Sequence, residues 1–203
     1  DWTLLAAAGA KVSISPETEL NMGMGRLVFA PCRQHGIKPT LSFDIVSLNS
    51  VGSLKKDLPP GTFVSCSDYV CLQQGPVTFF DNELKGGAPG IANNLIPRIV
   101  GELAPEFRIR SDKVYVQMRG PRFETKAEIR AIKEWGDVIG MTAAHEADLC
   151  TEAGLRYNSL ALIDNYANGL EGTEIDFAKF KELVKDNQSR VNRLFERLLE
   201  ILA

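Results

Sequence analysis

The chain has 203 residues, 44% of them hydrophobic, and a formal charge of -3 at neutral pH. This length and composition allow a substantial core and fit one ordinary domain. The sequence is mildly acidic and contains no basic run that could follow a nucleic-acid backbone. No apolar run approaches the roughly 20 residues that span a bilayer. We therefore expect a soluble, cytoplasmic protein with neither nucleic-acid nor membrane partners, since the first residues also lack the pattern of a secretory leader.

Six apolar runs rich in strand-forming residues predict the strands of one sheet. They occupy residues 25–31, 43–50, 61–72, 113–118, 136–141 and 157–166. In the second half of the chain these runs alternate with helical patterns, which is typical of a layered α/β fold. We predict a single α/β domain over residues 1–203, in which helices flank a central mixed β-sheet.

Three helices are predicted among and after these strands. One covers residues 125–135, and a second covers 143–153 and ends before a glycine, a common helix terminator. From Thr173 onward, apolar residues recur at helical spacing to the end of the chain, and Thr173 with Asp176 is typical of a capping box. This last segment predicts a long amphipathic helix that packs against the sheet.

The cysteines and histidines do not form a metal-binding pattern. The chain has four cysteines, Cys32, Cys66, Cys71 and Cys150, without a Cys-x-x-Cys pair. We interpret them as small buried thiols rather than as a zinc site or a disulfide framework. The pair His145-Glu146 lacks the second histidine of a zinc-binding helix, so no metal is expected there.

Small residues follow the second apolar run in the segment LNSVGSL, residues 48–54. Ser50, Gly52 and Ser53 predict a turn whose backbone N–H groups can approach an anion such as phosphate closely. A plain Gly-Ser turn without a ligand is the alternative, and these residues alone do not decide between the two.

Two further strand ends carry polar residues suited to ligands. Thr142 stands where a strand passes into a helix, where its hydroxyl and free amides can meet an oxyanion, although it can equally serve only as the helix cap. Asn165 follows the run LID, and its carboxamide can donate and accept at once, as a heterocycle with an N–H beside a carbonyl requires. An Asn that merely closes the strand is the alternative there.

Several segments in order resemble one enzyme family. They read NSVGSLKKDLPPGTFVSCSDYV, TFFD, GPRFETKAEIR, WGDVIGMTAAHEADLCTEAGLRY and SLALIDNYANG. Together they resemble the trimeric type of the purine nucleoside phosphorylase and methylthioadenosine phosphorylase family, over about residues 43–170 and with the closing helix in place. The resemblance implies a phosphorylase/hydrolase-like α/β fold and phosphorolysis, in which phosphate attacks the anomeric carbon and releases the purine. It implies no metal or organic cofactor, because inorganic phosphate is a co-substrate.

The resemblance also assigns the phosphate-binding residues. Phosphate would be held by Ser50 with its turn and by Thr142. An arginine and a histidine of the family's Arg-His-Gly segment would join them, and the nearest match, CRQHG, makes Arg33 and His35 the candidates, separated by Gln34.

The nucleoside would contact a second group of residues. By resemblance, Met141 lies against the ribose, Phe123 flanks the base and Glu124 binds the N–H edge of a 6-oxopurine. Asn165 falls where 6-oxopurine phosphorylases carry asparagine and methylthioadenosine phosphorylases carry aspartate, so we predict a preference for inosine, guanosine or methylthioinosine. Catalysis would rest on Asn165 and Glu124.

Two arginines beside this group are not expected in the site. Arg119 and Arg122 are interpreted as exposed or ion-paired residues of a loop. The resemblance further implies a homotrimer or a hexamer of trimers, with Phe79 or Phe80 completing a neighbouring subunit's site.

Two family segments have no counterpart in this sequence. One is a glycine-rich phosphate loop near the N-terminus, and the other lies around residues 36–41. Three alternatives accompany the main hypothesis: a methylthioadenosine phosphorylase, a nucleosidase that uses water, and a non-catalytic nucleoside-binding relative. The last is favoured if the segments are true deletions.

Overall fold

The computed structural model describes residues 5–6, 21–22, 25–26, 44–72, 78–79 and 87–202. The strands are β1 (Leu5–Ala6), β2 (Asn21–Met22), β3 (Gly25–Arg26), β4 (Asp44–Ser53), β5 (Phe63–Cys71), β6 (Ile109–Gln117), β7 (Val138–Gly140) and β8 (Arg156–Tyr166). The helices are α1 (Ile96–Leu103), α2 (Lys126–Ile132), α3 (Ala143–Glu152) and α4 (Phe177–Leu202), with a short 3-10 helix at Leu170–Gly172. None of the helices in these ranges has an apolar stretch of the length that a bilayer requires.

Five strands form a closed circuit of pairings. β4 pairs with β8 in parallel and with β7 in antiparallel fashion, β7 continues to β6 and β5 in parallel, and β5 returns antiparallel to β8. β1 adds two antiparallel pairs to β4, while β2 and β3 form a separate hairpin. The single-domain α/β fold with a mixed sheet is therefore confirmed.

Helices cover both faces of this sheet. Helices α1 and α4 pack on one face, where Leu48, Leu160 and Leu162 of the strands meet Ile99 and Leu194. Helix α3 packs on the other face, with Ala143 against Val51 and Ile163. Side chains alternate along a strand, so adjacent residues of β4 serve opposite helical layers.

The main differences from expectation are at element ends. The turn predicted at 48–54 is wrong, because β4 continues through Ser53 between β8 and β7. The capping box predicted at Thr173 is also wrong: α4 begins at Phe177, and the Thr173 hydroxyl bonds back to the carbonyl of Leu170. A capping box forms instead at α2, between Thr125 and Glu128.

The remaining predicted strands and helices are present within a few residues of the expected bounds. The run 25–31 is the exception, because only Gly25–Arg26 lies among the described residues. Helix α1 was not predicted. Its signal is a proline in the first turn together with apolar residues that become buried at Ile96, Ile99 and Leu103.

Candidate active site

One cleft lies beside the carboxyl-terminal parts of β4, β7 and β8. It is lined by Ser50, Val51, Gly52, Phe123, Glu124, Ile139, Gly140, Met141, Thr142, Asn165, Ala167 and Phe180. All six predicted site residues that the structure describes are in this lining, although they come from four separate segments of the chain. The two other candidates, Arg33 and His35, lie outside the described residues.

A bulge in β8 places Asn165 in the cleft. The parallel register with β4 pairs Val51 with Ile163 and then Gly52 with Asn165, which leaves Asp164 as an extra residue. A Cβ on Gly52 would lie 3.1 Å from Ile139 Cγ2, which is tight, and 3.4 Å from Asn165 Nδ2, so the glycine lets β4 lie close to both residues. The same Nδ2 donates to the carbonyl of Tyr166 at 2.8 Å. One of its two hydrogens is thus used, and the second is available to a ligand.

The segment between β6 and α2 supplies an aromatic ring and a buried acid. Phe123 packs edge to face on Phe180 of α4, with ring centroids 5.3 Å apart. Glu124 is only 5% exposed, and Asn168 Nδ2 holds its backbone carbonyl at 2.9 Å. Burial raises the pKa of the Glu124 carboxyl, an effect that its own backbone N–H opposes. A ligand that donates a hydrogen bond to such a carboxyl stabilises its charged form.

The start of α3 presents a hydroxyl but not the free amides that were expected. The amides of Thr142 and Ala143 donate to the Tyr115 hydroxyl at 3.0 and 3.3 Å, and the amide of Ala144 donates to Gln117 Oε1 at 2.8 Å. The prediction that these amides meet an oxyanion is therefore wrong, because two side chains of β6 already satisfy them. The Thr142 side chain makes no cap hydrogen bond.

Beneath Thr142 lies a set of polar residues that we call the Glu146 network: Ser47, Asn49, Glu146 and Tyr157. Glu146 is 7% exposed. It accepts hydrogen bonds from Ser47 Oγ at 2.7 Å and from the Tyr157 hydroxyl at 2.6 Å, and Asn49 Nδ2 lies 3.2 Å from both of its oxygens. Asn49 Nδ2 also donates to Thr142 Oγ1 at 3.1 Å, which connects the network to the cleft.

The Ser50 hydroxyl lies on the face of the sheet that α4 covers, opposite the face that α3 covers. It donates to Asp164, which also accepts from Asn187 Nδ2 of α4 at 2.9 Å. Asp164 is 1% exposed, and burial raises the pKa of its carboxyl, while Ser50 and Asn187 lower it. This cluster joins β4 and β8 to α4.

The backbone of Ser50 has a different environment. Leu54 N–H donates to the carbonyl of Asp137 at 2.9 Å, on the β7 edge of β4, and strand alternation directs the Ser50 N–H to that same edge. On this edge β4 pairs with β1 at Ile45 and Val46 and with β7 at Gly52 and Ser53. Within the described residues, the Ser50 N–H therefore has no strand partner where β4 borders the cleft.

The neighbouring arginines lie on the surface. Arg122 is exposed and makes two hydrogen bonds of 2.8 Å to Glu128, while Arg119 is exposed in the same loop.

Among the cysteines, Cys66 and Cys150 are buried, and Cys71 is half-buried with its Sγ 3.9 Å from His145 Nε2. Cys32 lies outside the described residues, and across the described ranges no three His, Cys, Asp or Glu side chains are grouped to hold a metal ion.

Several residues of this region were not predicted as part of the site, among them Asn49, Tyr115, Glu146, Asp164 and Phe180. Asn49 directly precedes Ser50, and a strand reading of LNSVGS would have placed it on the opposite face. The bulge that separates Asp164 from Asn165 has no local signal in the sequence, because it depends on pairing with β4.

Comparison with known proteins gives a consistent result. The model of the phosphorylase superfamily matches residues 22–200. A probable 6-oxopurine nucleoside phosphorylase of Archaeoglobus fulgidus is 33% identical over 159 residues, covering 77% of this chain and 65% of that protein. A probable S-methyl-5'-thioinosine phosphorylase of Methanopyrus kandleri is 31% identical over 186 residues, covering 87% and 70%.

Two more distant matches come from sequence and from structure. An S-methyl-5'-thioadenosine phosphorylase of Pyrococcus horikoshii is 29% identical over 160 residues, which cover 76% of this chain and 62% of that protein. The crystal structure of Schistosoma mansoni methylthioadenosine phosphorylase with adenine superimposes with a TM-score of 0.67 at 24% identity, covering 78% and 64%. The chain spans less than two thirds of the length of most of these proteins. From the match over residues 22–200, the chain belongs to the phosphorylase superfamily.

Proposed function

We propose that this protein catalyses the phosphorolysis of purine nucleosides and prefers 6-oxopurines. The reaction joins phosphate to the anomeric carbon and releases the free base and a ribose 1-phosphate. The observation that carries the proposal is the cleft itself, in which Asn165, Glu124, Phe123, Met141 and Thr142 converge from separate segments. Relatives named for 6-oxopurine nucleosides and for methylthioinosine support the same substrate class.

The phosphate would bind between β4 and the start of α3. Thr142 offers its hydroxyl, and Ser50 offers its backbone N–H rather than its side chain, which donates to Asp164. Arg33 and His35 remain proposed as further phosphate ligands. With phosphate held there, the attacking oxygen is fixed against a ribose that lies on Met141, so positioning and electrostatic stabilisation provide the rate.

The base would bind between Phe123, Glu124 and Asn165. The second hydrogen of Asn165 Nδ2 is available to N7 or O6 of hypoxanthine or guanine, and the Glu124 carboxylate can accept from the N1 edge. As the glycosidic bond breaks, negative charge grows on the purine, and the Asn165 donor stabilises it. We therefore assign the catalytic roles to Asn165 and Glu124.

The assembly and location are also proposed. We propose a cytoplasmic homotrimer, or a hexamer of trimers, that needs no metal or organic cofactor. Phe79 is 43% exposed, which suits a ring that covers a neighbouring subunit's cleft, while Phe80 lies outside the described residues. Light scattering during chromatography measures the mass, and a fully active monomer at micromolar concentration would contradict this assembly.

The decisive experiment is a substrate panel with and without phosphate. It contains inosine, guanosine, adenosine, methylthioadenosine and methylthioinosine, and base release is followed by absorbance. We expect release that requires phosphate and is fastest with a 6-oxopurine. Release without phosphate would identify a nucleosidase, preference for methylthioadenosine would identify a methylthioadenosine phosphorylase, and tight binding without turnover would identify a non-catalytic relative.

A further inference from the structure

The Glu146 network contains a group that can only accept hydrogen bonds. The Glu146 carboxylate receives the hydroxyls of Ser47 and Tyr157 and lies 3.2 Å from Asn49 Nδ2 through both oxygens. Because a carboxylate has no hydrogen to give, Asn49 must turn the NH2 side of its amide toward Glu146. The carbonyl side of the same amide then lies 3.2 Å from Ser47 Oγ and 3.4 Å from the Tyr157 hydroxyl oxygen, which are longer contacts than those by which these two hydroxyls donate to Glu146.

The orientation of Asn49 in turn determines the role of Thr142. The same NH2 group lies 3.1 Å from Thr142 Oγ1, so this oxygen accepts and its hydrogen points elsewhere. The nearby Tyr115 hydroxyl accepts the amide hydrogens of Thr142 and Ala143, and the Thr142 side chain also interacts with it. Since Thr142 lines the cleft, a ligand there can receive the hydroxyl hydrogen that Asn49 turns away from itself.

We propose that Glu146 is a positioning residue, which orients the Asn49 amide so that Thr142 is presented as a hydrogen-bond donor to an anion in the cleft. The identification of this anion as phosphate rests on the proposed function. A donor that is oriented in advance needs no reorganisation when the anion binds, which favours binding and catalysis.

The substitution Glu146→Gln tests this assignment. Glutamine keeps the shape but adds an NH2 group, so Asn49 can turn its amide over and accept from Thr142. We expect the KM for phosphate to rise about tenfold or more, while the KM for the nucleoside changes about twofold or less. The matched control is Glu102→Gln, an exposed residue of α1, which should change neither value. If Glu146→Gln does not fold, Asn49→Ala removes the oriented amide and provides the same measurement.

A double-mutant cycle with Thr142→Val separates positioning from general structural damage. If Glu146 acts through the Thr142 hydroxyl, Glu146→Gln has no further effect on phosphate KM once that hydroxyl is absent. Equal rises in both KM values, or effects that add fully in the double variant, would overturn the proposal.

Calorimetric titration with inorganic phosphate, without nucleoside, distinguishes this inference from the proposed function. If the wild-type protein binds phosphate but cleaves no nucleoside, the proposed function fails. Weaker phosphate binding by Glu146→Gln than by Glu102→Gln would then still support the positioning role. Equal phosphate affinity in both variants, or no phosphate binding by the wild type, would overturn it.

Discussion

Two buried glutamates of this protein differ in how their hydrogen-bonding capacity is used. Glu146 is 7% exposed and accepts from Ser47, Asn49 and Tyr157, whereas Glu124 is 5% exposed and its pKa is raised by burial. Only Glu124 lines the cleft, while Glu146 lies one layer beneath it. Nearly equal burial therefore accompanies opposite roles: one acid is satisfied by the protein, and the other gains from a donor on a ligand.

The comparison predicts that removing Glu146 lowers the free energy of unfolding much more than removing Glu124 does. Glu146→Ala leaves three buried donors without their acceptor, so we expect the free energy of unfolding to fall by about 3–5 kcal/mol. Glu124→Ala strands no protein donor from another residue, so its effect should stay within about 1 kcal/mol. Urea unfolding followed by circular dichroism measures both values. Equal losses would show that the two acids do not differ in this way.

The next largest effect is expected at the residue that the Glu146 network supports. Thr142→Val keeps the shape of the side chain and removes its hydroxyl. We expect kcat/KM for phosphate to fall by a factor that corresponds to a loss of about 2–4 kcal/mol of transition-state stabilisation. The nucleoside KM should change much less. Thr142→Ser, which keeps the hydroxyl, is the matched control and should retain most of the activity. Unchanged phosphate kinetics in the valine variant would refute the assignment.

Asn165 extends the comparison to base selectivity. Its Nδ2 donates one hydrogen to the carbonyl of Tyr166, and the other hydrogen is available to the base. Adenine presents an amino group where a 6-oxopurine accepts, and an unmade buried hydrogen bond costs about 1–3 kcal/mol. Asn165→Asp should therefore shift the ratio of adenine to 6-oxopurine cleavage by about tenfold toward adenine. The ratio of kcat/KM for paired nucleosides measures this shift. A wild-type enzyme that cleaves an adenine nucleoside about tenfold faster than every 6-oxopurine nucleoside would show that Asn165 is misinterpreted.

Much of the fold follows from sequence patterns, and the exceptions have physical reasons. Apolar runs locate β5, β6, β7 and β8 because each strand contains buried residues. The sequence predicts a turn at the end of β4, since Ser50, Gly52 and Ser53 are typical turn residues. Here they stay in the strand because β8 and β7 pair with β4 on either side.

The candidate site divides in a similar way. Phe123, Glu124, Met141 and Thr142 could be named from ordered motifs, and the structure places them in one cleft. The roles of Asn49 and Glu146 depend on which face each side chain takes and on contacts between residues about a hundred positions apart. Local patterns do not contain such contacts, so the sequence predicts the backbone of Ser50 as an anion site but gives no signal for Asn49.

The smallest expected effect is the pH dependence of Glu124. Because burial raises its pKa, the carboxyl takes up a proton at a higher pH than an ordinary glutamate, and the neutral acid is then a weaker acceptor for the N1 edge of the base. As pH falls from neutral toward mildly acidic values, we expect the KM for inosine to rise, and Glu124→Gln should flatten this profile while raising KM at neutral pH.

The raised pKa of Glu124 also predicts that replacing this residue stabilises the protein at neutral pH. A carboxyl whose pKa is higher in the folded state lowers stability above that pKa, and this cost vanishes below the pKa of the unfolded chain, where both states are protonated. Glu124→Gln should therefore slightly raise the melting temperature at neutral pH and leave it unchanged in acid. Glu146→Gln, which replaces the acceptor of three donors, should lower the melting temperature at neutral pH. Thermal unfolding across the pH range measures both differences, and a lower melting temperature for Glu124→Gln at neutral pH would mean that Glu124 has donors from the protein after all.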